Sequence, residues 1–185
     1  MRGSRYVCNF YLLYSICSFF VTYVSPFAAM KFHYHLGKAL YSFCDGKDVG
    51  DTIFLIANQI NHGKEWIVRD TDLSIAIAEL NMKAGKMALD GCDHKTAYSY
   101  LGVALSLLPN DHWSSHYDLS LRLYFLKSSA ANSICQYYEA ELFLRMTLEK
   151  ARCLDDQLPS YLLLSQSKWP NQMPCFLVFL ISCLT

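Results

Sequence analysis

Through residues 73–91, apolar side chains stand at Leu73, Ile77, Leu80, Ala84, Met87 and Ala88, at spacings of three and four. That period places them on one side of an α-helix. The same rhythm runs along the middle of the chain. "FHYHLGKALYSF" (32–43) predicts a short helix closed by the turn-forming "CDGKD". "VGDTIFLIANQINHG" (49–63) predicts a second, with Gly63 as its C-terminal cap. The third, 73–91, is entered through Asp70 as a cap and Asp72 in its first turn, where a negative charge meets the positive helix end. Ala97, Leu101, Ala104, Leu105 and Leu108 form the stripe of a fourth, which Pro109 halts. The fifth, 113–134, starts at Asp111 or Ser115, with Ser115 and Asp118 as a capping-box-like pair. Leu119, Leu123, Leu126 and Ala130 lie on one of its faces and Leu121, Tyr124 and Phe125 on others, so it must be covered on several sides. A sixth, 137–151, carries Tyr137, Ala140, Leu144, Leu148 and Ala151. A last one near 157–166 has Pro159 in its first turn. No β-strand of useful length reads in this body, and the predicted fold class is all-α.

Small residues at fixed offsets let two helices approach closely, and large ones fill the grooves beside them. Counting from Ala78, such positions are Gly85, Ala97, Leu101, Ala104 and Pro109. Counting from Leu121, they are Ser128, Ala140, Leu144 and Thr147, with Arg152 where a proline is wanted. This alternation resembles the tetratricopeptide pattern, although Asn81 stands where the pattern has a bulky aromatic. The expected architecture is a set of antiparallel helical hairpins forming a short α-solenoid. Residues 78–111 read as a good unit and 121–152 as a degenerate one. The function of these positions is packing: Ala97→Leu should overpack the hairpin and Leu101→Ala should leave a cavity.

Charge divides the chain into zones. Arg2 and Arg5 are the only charges in residues 1–30, and Lys168 is the only one in 167–185. The expected organisation is an apolar head (1–30), a helical-repeat domain (31–166) and an apolar tail (167–185). The head, with "CNFYLLYSICSFFVTYV" after two arginines, reads either as a signal or anchor through residues 6–24 or as a non-native extension. The 16 basic and 16 acidic residues balance, which gives no field for nucleic acid. Eight cysteines are scattered through apolar segments without a C-x-x-C pair, so buried reduced thiols and a cytoplasmic setting are expected, with membrane association through the head as the alternative.

Candidate chemistry is sparse. His112 and His116, four apart, form a candidate metal pair with no evident third ligand. His33 and His35, two apart, point away from each other on a helix. "NHGKE" and "AGKM" lack the earlier glycine and the following hydroxyl of a P-loop. No G-x-S-x-G, kinase catalytic loop or H-E-x-x-H occurs. Glu139 and Glu141 read as solvated charges. The chain is expected to be no enzyme and to need no cofactor or metal.

Several segments carry a resemblance as a set. They are "FHYHLGKALYS", "IFLIANQINHGKE" with Asn58–Gln59–Ile60–Asn61, "AELNMKAGKMA", "LLPNDHW" followed by Tyr117–Asp118–Leu119, and "YYEAELFLRMTLEKA". Over roughly 31–165 the chain resembles the helical region of very large signalling proteins. Those have a serine/threonine-kinase-like head, an AAA-type P-loop ATPase, this helical region, a GAF sensor and often a histidine-kinase end. The resemblance implies a spacer or docking module that contacts protein partners or neighbouring domains. It transfers no catalytic residue, because no position here matches the ATPase or kinase motifs, and it implies a piece without the catalytic parts.

Overall fold

The computed structural model describes residues 25–44, 52–64 and 71–166. The head up to residue 24, the tail from 167 and the turn at 45–51 lie outside the described residues, as does the Asp70 cap. Within them every regular element is helical, and no strand occurs. The helices are α1 (Pro26–Cys44), α2 (Thr52–Asn61), α3 (Thr71–Asp90), α4 (His94–Ser106), α5 (His112–Ser115), α6 (Tyr117–Ser133), α7 (Tyr137–Lys150) and α8 (Leu154–Gln166). The chain divides into two compact units, Met1–Ile77 and Ala78–Thr185, and the division falls within α3.

In the first unit α1 packs on α2. Ile53, Ile56, Ala57 and Ile60 form the buried stripe of α2. Gly37 permits the close approach: a Cβ there would lie 2.8 Å from the Ile60 amide nitrogen. Gly63 ends α2 for a related reason. Its amide donates to the Ile60 carbonyl at 2.9 Å, and a Cβ would meet that of Tyr34 at 2.5 Å. The expected cap is therefore a packing glycine. His33, 7 % exposed, donates from Nδ1 to Gln59 Oε1 at 2.7 Å. Its ring lies 5.0 Å from that of His62, whose pKa is lowered by burial and by His33.

In the second unit, α3 and α4 meet where Gly85 faces Leu101. A Cβ at Gly85 would stand 2.6 Å from the Leu101 Cγ. α4 packs on α6, α6 on α7, and α8 on both α7 and α6. Ala78, Ala84, Ala97, Leu101, Ala104, Leu123, Ala130 and Ala131 are fully buried, with Ala140 and Leu144 nearly so.

The two turns α3–α4 and α6–α7 are built alike. In the first, the Asp93 amide donates to the Ala88 carbonyl and the Cys92 amide to that of Leu89, each at 2.9 Å. In the second, Gln136 donates to Ala131 at 2.9 Å and Cys135 to Asn132 at 3.1 Å. These are Schellman closures, and each needs one left-handed residue. That residue is a cysteine both times, Cys92 with φ 60° and Cys135 with φ 63°, although Gly91 stands beside the first. The closures lie 43 positions apart, the same interval that separates Gly85 from Ser128, Ala97 from Ala140, Leu101 from Leu144 and Ala104 from Thr147.

The structure corrects several expectations. The fifth helix is broken at His116, whose φ of −134° separates α5 from α6. Ser115 does not cap with Asp118; its hydroxyl donates to the Asp111 carbonyl at 3.2 Å. The effective side-chain cap is Asp93, whose carboxylate accepts from the Thr96 amide at 3.2 Å at the start of α4. Pro159 sits inside α8 rather than in its first turn, because α8 begins at Leu154. Cys92, Cys135 and Cys153 are exposed free thiols, against the expected burial, since all three lie in turns between helices.

Candidate interaction face

α8 turns a row of leucines outward. Leu154, Leu158 and Leu162 are 59 %, 48 % and 54 % exposed. Spaced by four, they form a row about 12 Å long on one face. Ser160, two residues from Leu158 and from Leu162, points the other way and is fully buried. Beside the row lies a cleft of about 260 Å³ between α6, α7 and α8. Leu121, Phe125, Thr147 and Pro159 give it apolar walls, and Ser160 also lines it. Arg122 stands on its α6 side, and Asp155 and Asp156 on its α8 side. The Thr147 hydroxyl donates to the Phe143 carbonyl at 2.9 Å, whereas the buried Ser160 Oγ has no hydrogen-bond partner.

Tyr117 anchors this face. Its hydroxyl donates to Asp156 Oδ2 at 2.5 Å and accepts from the Arg152 amide at 2.8 Å. The Arg152 guanidinium lies 3.9 Å over its ring. The Tyr117 hydrogen bond holds the Asp156 pKa below its ordinary value, so this carboxylate stays ionised. Burial, together with Asp156, raises that of Tyr117.

Polar groups also enter the core. Lys127, 5 % exposed, donates from Nζ to the Tyr98 carbonyl at 2.7 Å and lies over the Tyr98 ring. Burial pushes its pKa down to about 8, and Glu139 opposes the shift. Tyr98 donates its hydroxyl to Glu139, which stays exposed as its sequence suggests; burial and Glu139 push the Tyr98 pKa up to about 12. Glu141 pairs with Arg145 at 2.5 Å. A polar row of Ser120, Lys127 and Ser128 is thus buried along α6; of the three, spacing singles out only Ser128.

The histidines separate by role. His112 Nδ1 lies 2.8 Å from Ser120 Oγ, which donates to the His116 carbonyl at 2.8 Å. With the hydroxyl proton so directed, the imidazole N–H donates to Oγ, and the pair ties the α5–α6 break. Burial lowers the His112 pKa, and its ring stacks on Tyr124 at 5.7 Å. Among the described residues, no group of three or more histidine, cysteine, aspartate or glutamate side chains is arranged to hold a metal ion. No helix among them is long and apolar enough to cross a membrane.

Of the positions singled out by spacing, Gly85, Ala97, Leu101, Ala104, Ala140 and Leu144 are buried and Pro109 is half-buried beyond the end of α4. None of the seven lines the α6–α8 cleft. The residues of the face escape the spacing argument because an outward leucine row reads like an inward one.

Comparison with known proteins gives one partial likeness to report. A stretch of 109 residues, 54 % of this chain, is 28 % identical to Hybrid signal transduction histidine kinase G of Dictyostelium discoideum. The matched stretch covers 3 % of that protein's length. No family model and no solved structure matches the chain.

Proposed function

We propose that this chain is a non-catalytic helical-repeat module that works by protein–protein contact in a signalling setting. The observation that carries this reading is the pairing of two hairpins in one register with an outward leucine row on α8. Stacked hairpins bury their faces on their neighbours, and an end unit with an apolar outer side needs a cover. Likeness to a short stretch of a hybrid histidine kinase supports the signalling setting. The repeat is tetratricopeptide-like in its small and large positions, and its longer interval accommodates α5 between the hairpins. Partners are protein segments or neighbouring domains, and the setting is cytoplasmic.

Proximity labelling with the tagged full chain tests the reading. Signalling proteins should be enriched, and the enrichment should vanish when Leu154, Leu158 and Leu162 are all changed to glutamate while helicity persists. Phosphoryl transfer or ATP hydrolysis by the purified chain would overturn it, as would labelling that ignores the triple change.

A further inference from the structure

In the first unit, the α1–α2 hairpin holds two imidazoles against each other. His33 is buried in the helix contact, and its ring lies 5.0 Å from that of His62, which keeps an exposed edge. The backbones that carry them have no room to shift. Beside His62, Gly63 fits so closely on α1 that a Cβ would lie 3.0 Å from the Met30 carbonyl oxygen and 3.1 Å from the Tyr34 Cα. One turn on from His33, a Cβ at Gly37 would lie 2.8 Å from the Ile60 amide nitrogen. His33 donates from Nδ1 to Gln59 Oε1, so its Nε2 holds the lone pair that an added proton takes.

The surroundings offer this pair no compensating charge. Besides His33, α1 carries Lys31, Tyr34, His35, Lys38 and Tyr41; α2 carries no titratable side chain, and His62 and Lys64 follow it. Lys31, His35, Lys38 and Lys64 are exposed. Residues 25–44 and 52–64 contain no aspartate or glutamate.

We propose that this hairpin is an acid-sensitive joint: when His33 and His62 are both charged, α1 parts from α2 and opens the stripe of Ile53, Ile56 and Ile60 to solvent. The first proton is tolerated, because an imidazolium at His33 keeps its Gln59 acceptor. The second enters against it, and two unit charges at this separation repel enough to move an equilibrium several-fold even in a water-like dielectric. Burial and His33 hold the His62 pKa below the ordinary 6.5. The parted hairpin therefore binds more protons than the closed one between that lowered value and 6.5, and closure weakens as pH falls through this window.

Hydrogen exchange of the full chain, read by mass spectrometry at pH 7.5 and 5.5 and corrected for the intrinsic pH dependence of exchange, tests the joint. Opening of peptides from 26–44 and 52–63 should rise about fivefold or more at the lower pH. His62→Gln should remove most of that rise, and His35→Gln, at an exposed position of α1, should leave it. A flat response, or a rise that survives His62→Gln or is lost in His35→Gln, would overturn the proposal. Should His62→Gln open the hairpin at both pH values, imidazole proton resonances of the native chain decide. His62 should then take its proton at a lower pH than a free imidazole, with a shift of the His33 signal at the same step; a midpoint at the free value, or no response at His33, would overturn it.

Discussion

Replacing Lys127 by methionine should stabilise the second unit at neutral pH and remove a pH dependence that the native chain carries. Lys127 is the one basic side chain buried in α6. Its pKa falls from the ordinary 10.5 to about 8, chiefly through burial. A native pKa below the unfolded one means that the unfolded chain binds more protons between those values, so stability rises with pH across that window. Below about pH 8 the native state carries the charged form at its full cost, roughly 3 kcal/mol at 1.36 kcal/mol per pKa unit. Integrating the same linkage from about pH 7 to about pH 9.5 gives a gain of about 2 kcal/mol, and water reaching the Nζ edge lowers this to about 1–2 kcal/mol. Methionine fills a similar volume without the charge, and exchanging a buried ion for an apolar side chain commonly stabilises by about 1–3 kcal/mol. Urea unfolding of both chains at the two pH values measures the difference. The native chain should gain stability on going to the higher pH and the methionine variant should not, so the curves converge. The reasoning is refuted if the native curve is flat or falls over this range, or if the variant shows the same rise. Tyr98 does not interfere, since its pKa lies above this range in both states, at 10.0 ordinarily and about 12 in the folded chain.

Other substitutions probe the packing and the turns. Ala97→Leu and Ala140→Leu, both at buried positions, should each cost about 1–3 kcal/mol in thermal melts, and Leu101→Ala about 2–5 kcal/mol. Gly85→Ala should destabilise by about 1–3 kcal/mol, because the new methyl meets the Leu101 Cγ at 2.6 Å and that leucine is fully buried. Cys92→Gly and Cys135→Gly should each raise stability by about 1 kcal/mol, since a left-handed residue with a Cβ is strained and glycine is not; a lower melting temperature for both would contradict the turn geometry.

Much of the helical layout is legible in the spacing of apolar residues. Spacing alone marks the stripe Ala97, Leu101 and Ala104, and it is buried. Periodicity works there because α4 has one inward face. It fails at α6 for Ser120 and Lys127, which are buried although their types favour water. Those side chains enter because carbonyls of α4 and of the α5–α6 break wait for them: Tyr98 for the lysine, His116 for Ser120. Such matches join positions 4 to 29 residues apart, and no local pattern announces the longer ones. The break at His116 is hidden for a similar reason, since no proline or glycine marks it. α8 misleads in the opposite sense. Leu154, Leu158 and Leu162 have the spacing of a core helix, yet they face outward.

A corner closed by main-chain bonds is largely indifferent to the side chains it displays. At both hairpin corners the displayed group is a thiol open to solvent. With the remaining cysteines changed to serine, dyes attached at 92 and 135 would occupy matched vertices of successive hairpins. Their separation is then a ruler for the pitch of the stack, readable in solution while a helix is added to or withdrawn from the end.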